Sequence, residues 1–96
     1  MADSSMKARR VRVRLEEGKT GLFYATSPDL KGLLVAEPSV DAVVKAVPGA
    51  IAEMYKACGL KVVVTKLDDD DGPDDFRSWV AISAEIARKA LEENRA

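Results

Sequence analysis

The residues best suited to chemistry in this 96-residue chain are its carboxylates and its arginines, and each type is gathered in one stretch. Asp68, Asp69, Asp70, Asp71, Asp74 and Asp75 place six acidic groups within eight residues, a density that would attract a hard cation. The spacing does not fit a calcium loop. With Gly72 set on the loop's invariant glycine, Leu67 falls on the first ligand position and Ser78 on the last. A run of like charges also repels itself and stays solvated, so no metal site and no cofactor is expected there. Near the other end, Arg10, Arg12 and Arg14 alternate with Val11, Val13 and Leu15. On a strand the three guanidinium groups would share one face at a spacing of roughly 7 Å. Such a row suits phosphates or an acidic protein surface. The competing account is a solvated outer face whose charges pair with glutamates on neighbouring strands. No aromatic residue is interleaved with the arginines, which weighs against single-stranded nucleic acid.

The missing residue types narrow the function further. The chain has no histidine, which removes Ser-His-Asp and Cys-His catalysis together with imidazole metal sites. Cys58 is the only cysteine, so neither an internal disulfide nor a single-chain structural zinc site can form. Cys58 is expected to be a small buried hydrophobe at a helix end rather than a reactive thiol. Gly18, Gly21 and Gly32 match neither the P-loop nor the dinucleotide fingerprint and are sufficiently explained as turn residues. Hydrophobic residues make up 47% and charged residues 32% of the chain, an ordinary globular balance with enough apolar material for one small core. The stability margin of so short a domain is small, which makes a homo-oligomer an expectation. Met1 to Lys7 lacks the apolar centre of a signal peptide, and no apolar run approaches the roughly 20 residues of a membrane span. A cytoplasmic protein without membrane contact is the expectation.

The positioning elements follow from periodicity. Residues 1–8 are expected to be a disordered leader. Arg10 to Leu15 has the period of a half-buried strand with Val11, Val13 and Leu15 inward. Glu16 to Gly21 is turn chemistry, and Leu22 to Ser27 completes a hairpin. Pro28-Asp29-Leu30-Lys31-Gly32 is a second turn, and Leu33 to Ala36 a short third strand. Ser39 is placed to cap a helix whose stripe is Val40, Val43, Val44, Val47, Ile51, Met54, Tyr55 and Cys58, with Gly59 ending it in a left-handed cap. Pro48 and Gly49 fall in its middle. Because the stripe keeps its phase across them, one kinked helix is predicted, with a short interruption as the alternative. Lys61 to Leu67, with three consecutive valines, is a fourth strand, and residues 68–75 are an acidic loop. In residues 76–96, Phe76, Val80 and Ile82 fit a short strand followed by a helix from Ala84; one longer helix carrying Phe76, Trp79, Ser83 and Ile86 on one side is the alternative. Phe76 and Trp79 could serve as interface anchors or could cover one end of the core.

The segment Tyr24, Ala25, Ser27, Pro28, Asp29, Leu30 and Gly32, followed by Glu37-Pro38-Ser39-Val40-Asp41 at a helix start, resembles the HicB-like antitoxin family. The resemblance covers about 50 residues, and a proline within the helix has precedent in an uncharacterised branch of that family. It implies a partial ribonuclease-H-like fold: three antiparallel strands, a helix packed across them and a fourth strand alongside. It also implies binding of a small, basic ribonuclease toxin. Many members bind DNA through a C-terminal helix-turn-helix or ribbon-helix-helix, but residues 76–96 are too few for either, so DNA binding is not expected.

The sequence therefore predicts a single α+β domain with a β-β-β-α-β core over residues 9–67 and a C-terminal short strand and helix over 76–96. Its expected function is non-catalytic protein binding, as a HicB-like antitoxin or orphan regulator, with Arg10, Arg12, Arg14, Phe76 and Trp79 as partner contacts. A stand-alone homo-oligomeric module is the alternative. A metal-dependent nuclease is the weakest, because the strand interiors offer no carboxylates to hold magnesium.

Overall fold

The alternation from Arg9 to Glu17 forms β1, with Val11 and Val13 buried and the flanking arginines exposed. The structure, a computed structural model, describes residues 8–67 and 76–93. The expected leader (apart from the exposed Ala8) and the expected acidic loop lie outside the described residues. After β1 come β2 (Phe23–Thr26), β3 (Leu34–Glu37), α1 (Val40–Ala57), β4 (Val62–Leu67), β5 (Phe76–Ser83) and α2 (Ala84–Glu93). The protein is α+β, as predicted, with all five strands in one antiparallel sheet of order β3-β2-β1-β5-β4.

This order enlarges the predicted core. The C-terminal strand is not a short appendage: β5 is eight residues long and lies between the central strand β1 and the edge strand β4. Trp79 sits opposite Val11, and Ala81 opposite Arg9, on the face that α1 covers. Phe76, Val80 and Ile82 do lie on a strand, as expected, and the single longer helix does not form. They lie on the opposite face and are half-buried, whereas Trp79 and Ala81 are fully buried. The burial of β5 does not alternate cleanly, because Trp79 is buried in the core on the α1 side while Ser78, on the other face, is covered by Arg10.

Helix α1 runs unbroken for 18 residues with Pro48 inside it, so the interrupted alternative does not occur. Ser39 caps it, its hydroxyl accepting from the Ala42 amide at 3.1 Å. At the other end the Gly59 amide donates to Lys56 O and the Leu60 amide to Tyr55 O, both at 2.9 Å, with Gly59 at φ 85°. That is the Schellman arrangement, and it needs a residue tolerant of the left-handed region. Val43, Val47, Ile51 and Tyr55 form the buried stripe. Burying such side chains stabilises by roughly 1.5–3 kcal/mol each, which outweighs the approximately 3 kcal/mol penalty of an interior proline. Cys58 does not join them: it is exposed, correcting the expectation of a buried thiol. It stands at the C-cap, where α1 ends.

The direction of each backbone amide can be worked out from two bonds. The Ala84 amide donates to Lys61 O, so odd-numbered residues of β4 turn their polar groups towards β5. The Arg12 amide donates to Asp29, in the loop beyond β2, so even-numbered residues of β1 face β2. Alternation then assigns the rest, and leaves Val62, Val64 and Lys66 pointing outward from the β4 edge and Leu34 and Ala36 outward from the β3 edge.

In the β1–β2 hairpin, Gly21 takes the positive φ of the turn, at 84°, whereas Gly18 is needed for space. A Cβ on Gly18 would run into the ring of Tyr24, with Cδ2 at 3.1 Å. Gly18→Ala is expected to cost about 1–3 kcal/mol in chemical denaturation. In a Tyr24→Ala background most of that loss disappears, and a cycle without coupling would refute the steric account.

Candidate functional site

The face of the sheet away from α1 is assembled by register. Arg14 lies between Thr26 and Phe76, Arg12 beside Ser78, and Arg10 beside Val80. Leu34 extends the Arg14 row at one edge, and Val63, opposite Ile82, lies at the other. Leu34 is 65% and Val63 44% exposed, so aliphatic surface flanks the cationic row on both sides. Arg10, Arg12, Arg14 and Phe76 are thus brought to one face. Trp79 is not: at 1% exposure it belongs to the core, and its predicted role as a partner contact is corrected to covering that core.

Two of the arginines have structural work that the sequence did not reveal. Arg10 donates from Nε at 3.2 Å and from a terminal nitrogen at 3.1 Å to Oγ of Ser78, satisfying the buried hydroxyl. Arg12 grips Asp29 in a fork. Its Nε donates to Oδ2 at 2.9 Å and its Nη2 to Oδ1 at 2.8 Å, while its backbone amide donates to Oδ2 at 2.9 Å. The Asp29 carboxylate therefore continues the β1–β2 ladder after β2 has ended. Ser27 prepares it by accepting from the Asp29 amide at 3.0 Å and the Leu30 amide at 3.2 Å, which folds the Pro28-Asp29-Leu30 turn back over β1. A serine two residues before an aspartate, after a hairpin, was the available signal, but it specifies a turn and not the arginine that the turn meets.

This clamp holds the Asp29 carboxyl down at about 2, below its usual 3.8. The guanidinium hydrogen bonds of Arg12 are the main cause. Partial burial opposes them, and the Arg12 amide and the charges of Arg12 and Arg9 add to the lowering. The Arg12 guanidinium is correspondingly raised, first by its hydrogen bonds to Asp29 and then by the carboxylate's charge.

Elsewhere, an open groove of about 530 Å³ lies between the end of α1 and the start of α2, bordered by Leu60, Lys61, Ser83, Glu85 and Arg88. Its charges are mixed and solvated. The hydroxyl of Tyr55, a residue of the core cluster that does not line that groove, is buried without a hydrogen-bond partner among the described residues. Among the described residues no three acidic or cysteine side chains converge as metal ligands, and no helix is long and apolar enough to cross a membrane. Comparison with known proteins finds no matching family model, curated protein or solved structure.

Because the folded-state carboxyl of Asp29 titrates lower than the unfolded one, the clamp stabilises fully above about pH 4. Its contribution fades as the pH falls from 3.8 towards 2. Asp29→Asn is expected to lower the thermal midpoint at pH 7 by several degrees. The difference from the parent chain should vanish near pH 2, and a gap that persists there would show that the carboxylate charge is not what the clamp uses.

Proposed function

We propose that this protein is a non-catalytic protein-binding domain, a HicB-like antitoxin or orphan HicB-like regulator that acts by occupying a partner's surface. The observation that carries the reading is the face opposite α1, where an arginine row is bordered by exposed Leu34 and Val63. Arginine is enriched at protein interfaces, and the exposed aliphatic side chains beside the row add apolar area for a partner to bury. The Tyr24 to Gly32 segment adds the family resemblance, and its turn is built into the same face through Asp29. A small basic toxin is the partner that the resemblance suggests; on it the arginine row would have to meet an acidic patch, with Leu34 and Val63 against apolar surface.

Arg12 is a poor probe of this proposal, since altering it also releases Asp29. Leu34, 65% exposed, is the better probe. The test is light scattering of the untagged chain, followed by capture from a lysate of its source. A small basic protein that binds in fixed ratio, and whose ribonuclease activity the chain suppresses, is the expected result. Leu34→Ser should then weaken capture about tenfold or more, equivalent to roughly 1.4 kcal/mol, without lowering the thermal midpoint. A chain that recovers only itself removes the antitoxin reading and leaves a self-associating module.

A further inference from the structure

The two edges of the sheet are unequal. The outer edge of β3 carries the backbone groups of only Leu34 and Ala36, and Pro38 follows at once. The outer edge of β4 carries those of Val62, Val64 and Lys66, with no proline and no break within the strand. None of these three residues has a hydrogen bond outward from the sheet among the described residues. A strand edge left in this state is a template for another strand.

We propose that β4 pairs with β4 of a second copy, antiparallel about a two-fold axis at Val64, joining two five-stranded sheets into one. The register follows from the pleat. Partners in an antiparallel pair must share a face, and a two-fold axis at Val64 puts Val62 opposite Lys66 of the second copy and Val63 opposite its Thr65. Every outward N–H and C=O of Val62, Val64 and Lys66 then finds its mate, for about six hydrogen bonds across the axis. A shift of two residues in either direction leaves some of them unused, so the edge is complementary to itself in one register.

The side chains agree with this register. Val63, 44% exposed in the single chain, meets the exposed Thr65 in a close β-branched pair, twice over. Lysine on an edge commonly discourages pairing. Here Lys66 falls opposite Val62, and the two copies of Lys66 lie roughly 13 Å apart, so no like charges face each other. The pairing shares Val63 with the border of the arginine face but leaves the arginine row and Leu34 outside the contact, so the two readings are tested by different residues.

The experiment is sedimentation of the full chain over a wide concentration range, with residue-resolved hydrogen exchange at both ends of that range. The expected result is a mass rising from 10.4 kDa towards twice that value. The amides of Val62, Val64 and Lys66 should become protected by about tenfold or more as it rises, while those of Leu34 and Ala36 stay fast. Lys66→Pro removes an N–H that the single chain does not use and should give a folded protein that stays at 10.4 kDa. If that variant unfolds, exchange in the parent chain still decides. A mass fixed at 10.4 kDa, a dimer whose β4 amides remain unprotected, a dimer unaffected by Lys66→Pro, or protection that appears only with a foreign strand would each overturn the proposal.

Discussion

The ladder between β1 and β5 holds the sheet in one piece. Six residues of β1, Arg9 to Arg14, pair with Ala81 to Phe76, joining segments more than sixty residues apart. Without it, the β1–β2–β3 meander and β4 would be connected only through α1. With it, β3 and β4 run in the same direction at opposite edges, and α1 crosses the full width of the sheet between them. Trp79 makes this more than a backbone arrangement, since it fills the space beneath the helix beside Val11. The cost is that β1 must wait for the far end of the chain before both of its sides are paired, a long-range step of the kind that slows folding.

Where burial is one-sided, the sequence displays it. Val11 and Val13 alternate with arginines because one face of β1 meets α1 and the other is exposed, and the α1 stripe is clear for the same reason. Ser39 and Gly59 could be identified because capping is local chemistry. β5 could be recognised as a strand but not oriented. Ser78 breaks its apolar alternation, and Ser78 is buried because of Arg10, a residue distant in sequence. The Phe76, Val80 and Ile82 set and the Trp79 and Ala81 set are equally plausible as core from composition alone. Cys58 differs for a related reason: helical phase put it on the stripe, but the helix ends there and the side chain is left exposed.

The candidate face shows the same division. The arginine row itself was legible in β1, whereas its separation into different duties was not. Arg10 closes over a serine and Arg12 substitutes for a missing strand partner by holding Asp29, both through contacts across the sheet. Side chains that look equivalent along a strand become unequal once their neighbours are supplied, so surface charge read from periodicity gives location better than role.

The brevity of β3 has a consequence of its own. A sheet with two receptive borders can add copies at both and grow into a fibre, whereas one with a single receptive border has a valency of one. Four residues ended by Pro38 give β3 little to offer an incoming strand. Were copies to pair along β4 as proposed, the same turn that starts α1 would hold that assembly to a finite size and guard a valine-rich sheet against polymerisation.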